Sequence, residues 1–132
     1  MSERYEVLFP GGKRVDVRVG DFVIQTDQSL KRGGEASAPE PFDLFLSSMA
    51  ACAGIFALNF CTSRDLPTAG LGLSMDWEVD PTNPANASVR YLLRLPEGFP
   101  DKYRTSIIKA IDLCAVKKYV QNAPGFQIDI VE

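Results

Sequence analysis

Three cysteines and the complete lack of histidine limit the chemistry open to this sequence of 132 residues. The cysteines, Cys52, Cys61 and Cys114, lie far apart, and none belongs to a Cys-x-x-Cys pair. Neither a disulfide scaffold nor a zinc ribbon is therefore indicated. The lack of histidine excludes Ser-His-Asp triads, Cys-His proteases and His-ligated metal sites. We expect no bound metal.

Cys52 has two interpretations. Most buried free cysteines are small core residues, and Cys52 could be one of them. A reactive thiolate would need a nearby cation, because Cys52 lies about ten residues into a predicted helix, beyond the reach of the helix dipole. Arg32, in the glycine-flanked KRGGE segment, is a candidate for that cation, and its alternative is an exposed loop charge.

Cys61 and Cys114 differ in whether their sulfurs could approach that of Cys52. Cys61 follows nine residues later in the same predicted helix, which places it on the opposite side, and we interpret it as structural. Cys114 is remote in sequence and lies in a different predicted helix. Where two helices cross, its sulfur could approach that of Cys52, but the sequence leaves open whether they meet.

Composition and charge narrow the class of protein. The chain has 14 basic and 17 acidic residues, a formal net charge of -3, and no long run of either sign. This argues against binding of nucleic acid or of anionic membranes. The N-terminus has no secretion signal, and the cysteine pattern fits a reducing compartment, so we predict a cytoplasmic protein. The glycine pairs at 11–12 and 33–34 indicate turns rather than phosphate loops, and we expect no cofactor.

A long apolar helix must carry the first two thiols. Residues 44–63 contain no charged side chain, and the flanking prolines and Arg64 indicate a helix over about residues 42–64. Its length would also suit a membrane span. However, several polar residues interrupt the apolar stretch and no second span follows, so burial in a core or an oligomer is the favoured interpretation.

The remaining segments alternate apolar and polar residues in short runs typical of antiparallel strands. YEVLFPGG and KRVDVRVGDFVIQTD predict an N-terminal β-meander, and the turn-rich SLKRGGEASAPEP predicts a mobile loop leading into the helix. LGLSMDWEVD and ASVRYLLRLP predict two strands around the turn PTNPANA, and FQIDIV predicts a last strand. Between them, DKYRTSIIKAIDLCAVKKYVQ predicts one helix or two abutting helices, with one side formed by Tyr103, Ile107, Ile108, Ile111, Cys114 and Val116. We predict a single α+β domain over residues 1–132.

The run PFDLFLSSMAACAG, with LCAVKK downstream, resembles the OsmC/Ohr family, the osmotically inducible protein C and organic hydroperoxide resistance proteins. In that family an Asn-Pro-Glu-Glu-Leu-like segment leads into a helix carrying Ala-Ala-Cys, and a Cys-Pro-x-Ser-like segment follows near the C-terminus. The resemblance implies an OsmC-like fold with a long central helix, a second small antiparallel sheet with a second helix, and an intertwined homodimer. Such a dimer would bury an apolar helix in so short a chain.

The resemblance also implies roles for individual residues. The attacking cysteine of the family falls on Cys52, the resolving cysteine on Cys114, and the arginine that assists the attacking sulfur on Arg32. Ohr-type members place a functional glutamate ten residues before the attacking cysteine, where this chain has Phe42. Asp43 is the candidate acid, one step later and therefore rotated by about 100° on a helix.

Further departures concern the segment after the resolving cysteine. Ala115 and Lys117 stand where the family motif has proline and serine. Together with Phe42, these departures imply a divergent branch, in which the peroxidase strength and the substrate differ or the activity is lost.

The resemblance implies a thiol peroxidase that reduces small organic hydroperoxides. Cys52 would become a sulfenic acid and then form a disulfide with Cys114, which an external dithiol, of the lipoyl type in related proteins, would reduce. Candidate substrate-binding residues are the aromatic side chains Phe42, Phe45, Phe56 and Trp77. The alternative hypotheses are a non-catalytic protein that binds a small ligand and a redox sensor without turnover.

Overall fold

The computed structural model of the protein describes residues 3–131. Over these residues the chain forms β1 (Glu6–Gly11), β2 (Arg14–Val19), β3 (Phe22–Ile24), α1 (Pro41–Thr62), β4 (Gly72–Asp80), β5 (Asn83–Arg94), α2 (Arg104–Asp112) and α3 (Ala115–Gln121). Short 3-10 helices lie at Leu30–Arg32 and Asp101–Tyr103. The chain divides into two compact units, the first ending at Ser47 and the second beginning at Ser48.

The first unit contains the predicted β-meander. β1 pairs with β2 and β2 with β3, all antiparallel, and Val17 is aligned with Val7 on one side and with Ile24 on the other. Gly12 and Gly20 lie in the two turns with φ values of 58° and 56°, left-handed conformations that favour glycine in tight hairpins. The prediction of an N-terminal meander is confirmed.

α1 begins at Pro41 and ends at Thr62, close to the predicted bounds of 42 and 64. The Asp43 carboxylate accepts a hydrogen bond of 3.0 Å from the Glu40 N–H, and the Glu40 carbonyl accepts one of 3.0 Å from the Asp43 N–H. The Asp43 side chain thus supplies one half of a capping box, while the Asp43 N–H bonds to the main chain of Glu40 rather than to its side chain. Pro41 suits the first turn, where the N–H that proline lacks would have no helical acceptor. Asp65, beyond the end, has a left-handed φ of 53°, as is common after helices.

Much of the α1 surface is not covered by its own chain. Its buried residues recur every three or four positions and form one stripe, made of Met49, Ala53, Ala57, Phe60 and Cys61. The most apolar window of α1 has a mean hydropathy of 1.8, and 28% of that window is buried. Among the described residues α1 is therefore a helix that could span a membrane by length and composition, although core helices of soluble proteins have the same properties.

β4 and β5 form a long antiparallel ribbon in the second unit, with Trp77 opposite Val89. The prediction of two strands is confirmed, but the turn between them is shorter than predicted, because β5 already begins at Asn83. The Asp80 carboxylate closes the turn by accepting hydrogen bonds from the N–H and the hydroxyl of Thr82, at 2.9 and 2.7 Å. Asn83 is aligned with Asp80, but the register shifts between Val79 and Asp80, so residues 84–86 have no aligned partner on β4.

The core of the second unit packs α1 against α2. Its buried side chains are Ala53, Ala57, Phe60, Cys61, Phe99, Ile107 and Ile111. Cys61 has no exposed surface, which agrees with the structural role predicted for it. The rings of Phe60 and Tyr103 meet edge to face with centroids 5.8 Å apart, and the Arg64 guanidinium lies 3.7 Å from the Phe60 centroid.

The segment after the ribbon forms two helices, one of the two predicted alternatives. The chain leaves α2 at Leu113 and enters α3 after Cys114. Ile107 and Ile111 are buried on α2, but Ile108 is 62% exposed. Ile108 is rotated by about 100° from Ile107 on the helix, which explains its greater exposure, although both residues line the same cavity.

The predicted last strand, FQIDIV, is not formed. Residues 122–131 have no helix or strand, and Phe126 and Ile128 are 89% and 95% exposed. A strand is stable only beside a hydrogen-bonding neighbour, and within residues 3–131 no strand pairs with this segment. The prediction of a last strand is therefore wrong for the described residues.

Candidate active site

Cys52 and Cys114 meet at the start of α3. Cys52 lies in the middle of α1 and is partly buried, whereas Cys114 immediately precedes α3 and is only 2% exposed. The Cys114 S–H donates a hydrogen bond to the Cys52 sulfur. The structure therefore brings together the two thiols whose meeting the sequence left open, and both are free rather than joined in a disulfide.

Backbone groups of α3 also point at Cys52. The first N–H groups of a helix have no intrahelical acceptor, and here those of Val116 and Ala115 bond to the Cys52 sulfur. Burial acts to raise the pKa of Cys52, but the hydrogen bonds from Cys114, Val116 and Ala115 together lower it below its ordinary value of 9.0. Cys52 is thus favoured as a thiolate by groups of its own unit.

Cys114 is affected in the opposite direction. Burial and then the hydrogen bond to Cys52 raise the pKa of Cys114, which keeps it protonated. Tyr91 lies near both sulfurs: burial raises the pKa of its phenol most, and the neighbouring Cys114 and Cys52 side chains raise it further. The Tyr91 hydroxyl donates a long hydrogen bond of 3.4 Å to the Met49 carbonyl. The site combines a cysteine whose pKa is lowered, Cys52, with a second cysteine in contact with it whose pKa is raised, Cys114.

A cavity of about 600 Å³ opens beside Cys114, which forms part of its wall, whereas Cys52 is not among its lining residues. Most of the wall is aliphatic and comes from α1, β4, β5 and α2, through Met49, Leu73, Val89, Leu93, Leu95, Ile107, Ile108 and Ile111. Tyr91 contributes a polar tip to this lining. Apolar walls with a few polar groups are typical of small-molecule sites.

The rim of the cavity carries charged side chains from α2 and α3. Lys117 forms an ion pair with Asp112, and Arg104 lies 3.9 Å from the carboxylate of Asp101. Lys117 is one of the departures from the family motif, and its side chain lies at this rim. Within residues 3–131, no three His, Cys, Asp or Glu side chains are grouped so that they could hold a metal ion.

Arg32 lies in the first unit, at the end of the short 3-10 helix Leu30–Arg32. Its guanidinium is 3.1 Å from the Glu40 carboxylate, and its side chain is 68% exposed. Among the described residues its ion-pair partner is therefore Glu40 rather than Asp43, whose carboxylate instead accepts the hydrogen bond from the Glu40 N–H. The roles of Arg32 and Asp43 in chemistry stay predictions.

The aromatic residues predicted to bind substrate lie outside the lining of the cavity. Phe42 and Phe45 contact each other near the start of α1, with ring centroids 5.7 Å apart. Phe56 is partly buried on α1, and neither it nor Trp77 belongs to the lining. The walls are aliphatic because β5 contributes Val89 and Leu93 to the cavity, and Leu95 follows just after the end of β5. Substrate binding by Phe42, Phe45 and Phe56 stays a prediction.

Tyr91, beside the two sulfurs, and Glu40, the ion-pair partner of Arg32, are residues that the sequence did not single out. Glu40 stands between two prolines just before α1, where an acidic residue is expected only as a helix cap. In the segment YLLRLP, Tyr91 looks like an ordinary aromatic residue of a β-strand. The backbone N–H groups at Cys52 could have been suspected from Cys114, because a break between two helices leaves such groups unpaired.

The fold and the site together define an α+β protein with two antiparallel sheets, three helices and a pair of contacting cysteines. The family model for OsmC-like proteins matches residues 34–129. The chain belongs to this family.

Solved structures share this fold. The chain is similar to a protein of Psychrobacter arcticus named for osmotic stress induction and detoxification response, with 19% identity, a TM-score of 0.64 and coverage of 86% of this chain and 85% of that one. It is also similar to an organic hydroperoxide resistance protein, OsmC, of Legionella pneumophila, with 14% identity, a TM-score of 0.60 and coverage of 92% and 90%. A hypothetical protein of Aquifex aeolicus has 14% identity, a TM-score of 0.62 and coverage of 93% and 89%. No curated protein sequence matches the chain.

Proposed function

We propose that this protein is a thiol-dependent peroxidase for organic hydroperoxides. The observation that carries the proposal is the hydrogen bond between Cys52 and Cys114, which goes with a lowered pKa at Cys52 and a raised pKa at Cys114. A nucleophilic thiolate beside a protonated resolving thiol is the arrangement that a two-cysteine redox cycle requires. Membership of the OsmC-like family and the name of the Legionella neighbour support a role in redox chemistry or peroxide resistance.

The proposed cycle has two steps on the protein. The Cys52 thiolate attacks the distal oxygen of the hydroperoxide, the O–O bond breaks, and the departing alkoxide takes up a proton to become an alcohol. The sulfur of Cys114 then attacks the Cys52 sulfenic acid, an S–S bond forms, and the hydroxyl leaves with the Cys114 proton as water. An external dithiol, of the lipoyl type by family resemblance, restores both thiols and becomes a disulfide itself.

The substrate class follows from the cavity. Its aliphatic wall would bury the organic part of a hydroperoxide and leaves hydrogen peroxide without a comparable contact. We also propose, from the family resemblance, that Arg32 favours the Cys52 thiolate and helps to position the peroxide, with Asp43 as an assisting acid. The requirement for reduced thiols fits the cytoplasmic location predicted from the sequence.

We further propose that the protein works as a homodimer. Only 28% of the apolar α1 window is buried by its own chain, and the alternating segment Phe126–Val131 is exposed without a pairing strand. A second chain could cover both features at once. We expect a dimer in analytical ultracentrifugation without detergent, and monomeric behaviour at micromolar concentration would contradict this part of the proposal.

The peroxidase proposal is tested by oxidation with one equivalent of cumene hydroperoxide. We expect a disulfide between Cys52 and Cys114 in a digest analysed by mass spectrometry without reduction, while Cys61 stays free as an internal control. Cys114→Ser should stop at a sulfenic acid on Cys52 that overoxidises with excess peroxide. The proposal fails if all three wild-type thiols survive excess hydroperoxide while a small thiol in the same tube is consumed.

A non-catalytic protein is the second candidate. Phe42 at the position of the Ohr-type glutamate favours it, and a cavity lined by Cys114 rather than Cys52 could hold a small apolar ligand without chemistry. Thiol alkylation at mildly acidic pH separates the two, since a peroxidase should be labelled first at Cys52, and a binding protein slowly at every cysteine. A redox sensor would form the disulfide once but show no turnover with excess dithiol.

A further inference from the structure

Tyr91 is a polar side chain that borders both the cavity and the pair of sulfurs. It lies on β5 and forms part of the cavity wall together with Cys114. A molecule whose body fills the cavity therefore approaches Cys52 at the end where Cys114, the hydrogen-bond partner of Cys52, lies. Tyr91 is at this end too, because Cys114 and Cys52 both act electrostatically on its phenol.

The hydroxyl of Tyr91 lies against the turn of α1 that contains Cys52. It donates a hydrogen bond of 3.4 Å to the Met49 carbonyl. A carbonyl in an α-helix points towards the N–H four residues later, so the Met49 carbonyl is directed at the turn that includes Cys52. A distance of 3.4 Å is longer than the usual O–H···O range of about 2.5–3.0 Å. The phenol proton is therefore weakly held and can be given to another acceptor.

The proposed cycle needs a proton whose source is still unnamed. When the O–O bond breaks, the departing alkoxide must be protonated. The Cys114 S–H is engaged with the Cys52 sulfur, and its proton leaves with the hydroxyl in the second step. The Arg104 guanidinium at the cavity rim does not give up a proton, and Lys117 is held in an ion pair. A phenol is suited to the task, because an alkoxide is a stronger base than a phenolate.

We propose that Tyr91 is the proton donor of the first step, placed by β5 where the cavity meets the two cysteines. As Cys52 takes the distal oxygen, the Tyr91 hydroxyl gives its proton to the proximal oxygen. The alcohol leaves, and the phenolate recovers a proton from solvent. Burial first, and then Cys114 and Cys52, raise the pKa of Tyr91, so that the phenol carries its proton when the step begins. This inference rests on the proposed peroxidase function.

The test compares two oxidants that differ in whether the leaving group needs a proton. tert-Butyl hydroperoxide releases an alkoxide, whereas peracetic acid releases acetate, a weak base that leaves without one. Tyr91→Phe should slow single-turnover oxidation of Cys52 by tert-butyl hydroperoxide by about tenfold to a hundredfold, since solvent replaces a lost general acid only in part. Oxidation by peracetic acid and alkylation by iodoacetamide, which releases iodide, should each stay within about twofold of wild type.

Tyr103→Phe is the matched control. It removes a hydroxyl from a tyrosine of the same unit that packs on Phe60 and does not line the cavity, so both oxidants should react as with wild type. Equal slowing with both oxidants in Tyr91→Phe would show a role in packing, and no slowing with either would show no role; both results would overturn the inference. Wild-type thiols that resist tert-butyl hydroperoxide would instead refute the peroxidase proposal itself.

A measurement on the wild-type protein supplies the answer if Tyr91→Phe does not fold. It is made at a pH where alkylation of Cys52 no longer accelerates with rising pH, so that the thiolate is fully formed. Proton transfer during O–O cleavage should then make oxidation by tert-butyl hydroperoxide about twofold slower in D₂O than in H₂O. Equal rates in the two solvents would overturn the inference, because no proton would be moving in that step.

Discussion

Replacement of Gly34 by alanine should open the loop that carries Arg32. A Cβ atom at this position would lie 2.1 Å from the carbonyl oxygen of Gln28, 2.6 Å from its carbonyl carbon and 2.8 Å from an Asp27 carboxylate oxygen. Carbon and oxygen atoms that are not bonded normally stay about 3.3 Å or more apart. The nearest obstacle is backbone, which cannot swing aside as a flexible side chain can, so the segment itself must move by about 1 Å.

The expected loss can be worked from the bonds that this movement breaks. The Gly34 N–H to Ser29 carbonyl bond and the Ala36 N–H to Gln28 carbonyl bond both span the affected position. Each backbone hydrogen bond contributes about 0.5–1.5 kcal/mol net, so the free energy of local opening should fall by about 1–3 kcal/mol. At about 1.4 kcal/mol for each factor of ten, amide exchange in the loop should accelerate roughly 5-fold to 150-fold.

Hydrogen-deuterium exchange of the peptide covering residues 28–40 measures this directly. Gly125→Ala is the matched control, because a Cβ there meets nothing within 4 Å and the exchange of residues 28–40 should not change. Unchanged protection of the amides of residues 34 and 36 in Gly34→Ala would refute the argument, since the loop would then accept a methyl group where the structure has no room for one.

Three further predictions concern stability. Gly54→Ala should raise the free energy of unfolding by about 0.5–1 kcal/mol and the Tm by roughly 2–4 °C, because Gly54 lies inside α1 and a Cβ meets only a Leu73 methyl at 4.0 Å; a lower Tm by calorimetry would contradict this. Ile107→Ala should cost about 2–5 kcal/mol in urea unfolding, whereas exposed Ile108→Ala should stay within about 0.5 kcal/mol; equal losses would contradict the assigned core. Since the pKa of Asp27 is lowered from 3.8 to about 2, its stabilising contribution is present above pH 4 and lost as the pH falls towards 2. The free energy of unfolding should therefore fall less between pH 4 and pH 2 in Ser37→Ala than in wild type, and equal falls would contradict the stabilising role of the Asp27–Ser37 hydrogen bonds.

The cysteine chemistry was predictable in kind but not in geometry. The absence of histidine already excludes His-dependent catalysis, and the spacing of the cysteines excludes a Cys-x-x-Cys site. The position of the N–H groups of Val116 and Ala115 depends on where the helix breaks, and the sequence allowed both a continuous helix and two. Local patterns specify which residues prefer a helix, but a contact between segments 62 residues apart is decided by packing.

The sequence also did not predict the contacts that close the loop carrying Arg32. Glycines and prolines predict a mobile loop, whereas the structure closes it through Asp27 and Ser37, ten residues apart. Asp27 follows a predicted strand and looks like an ordinary turn residue. Its burial could not be predicted, because the partners that make a buried carboxylate tolerable come from the far end of the loop.

The C-terminal segment shows why a correct pattern can fail in one chain. FQIDIV alternates as a strand does, and alternation specifies which side chains share a face but not which strand will pair with them. In the single chain Phe126 and Ile128 stay almost fully exposed, and α1 keeps most of its apolar window uncovered. These two uncovered apolar features are the basis of the proposed dimer. If the proposed dimer forms, removal of residues 126–132 should weaken it without loss of the thiol contact, because Cys52 and Cys114 meet within one chain.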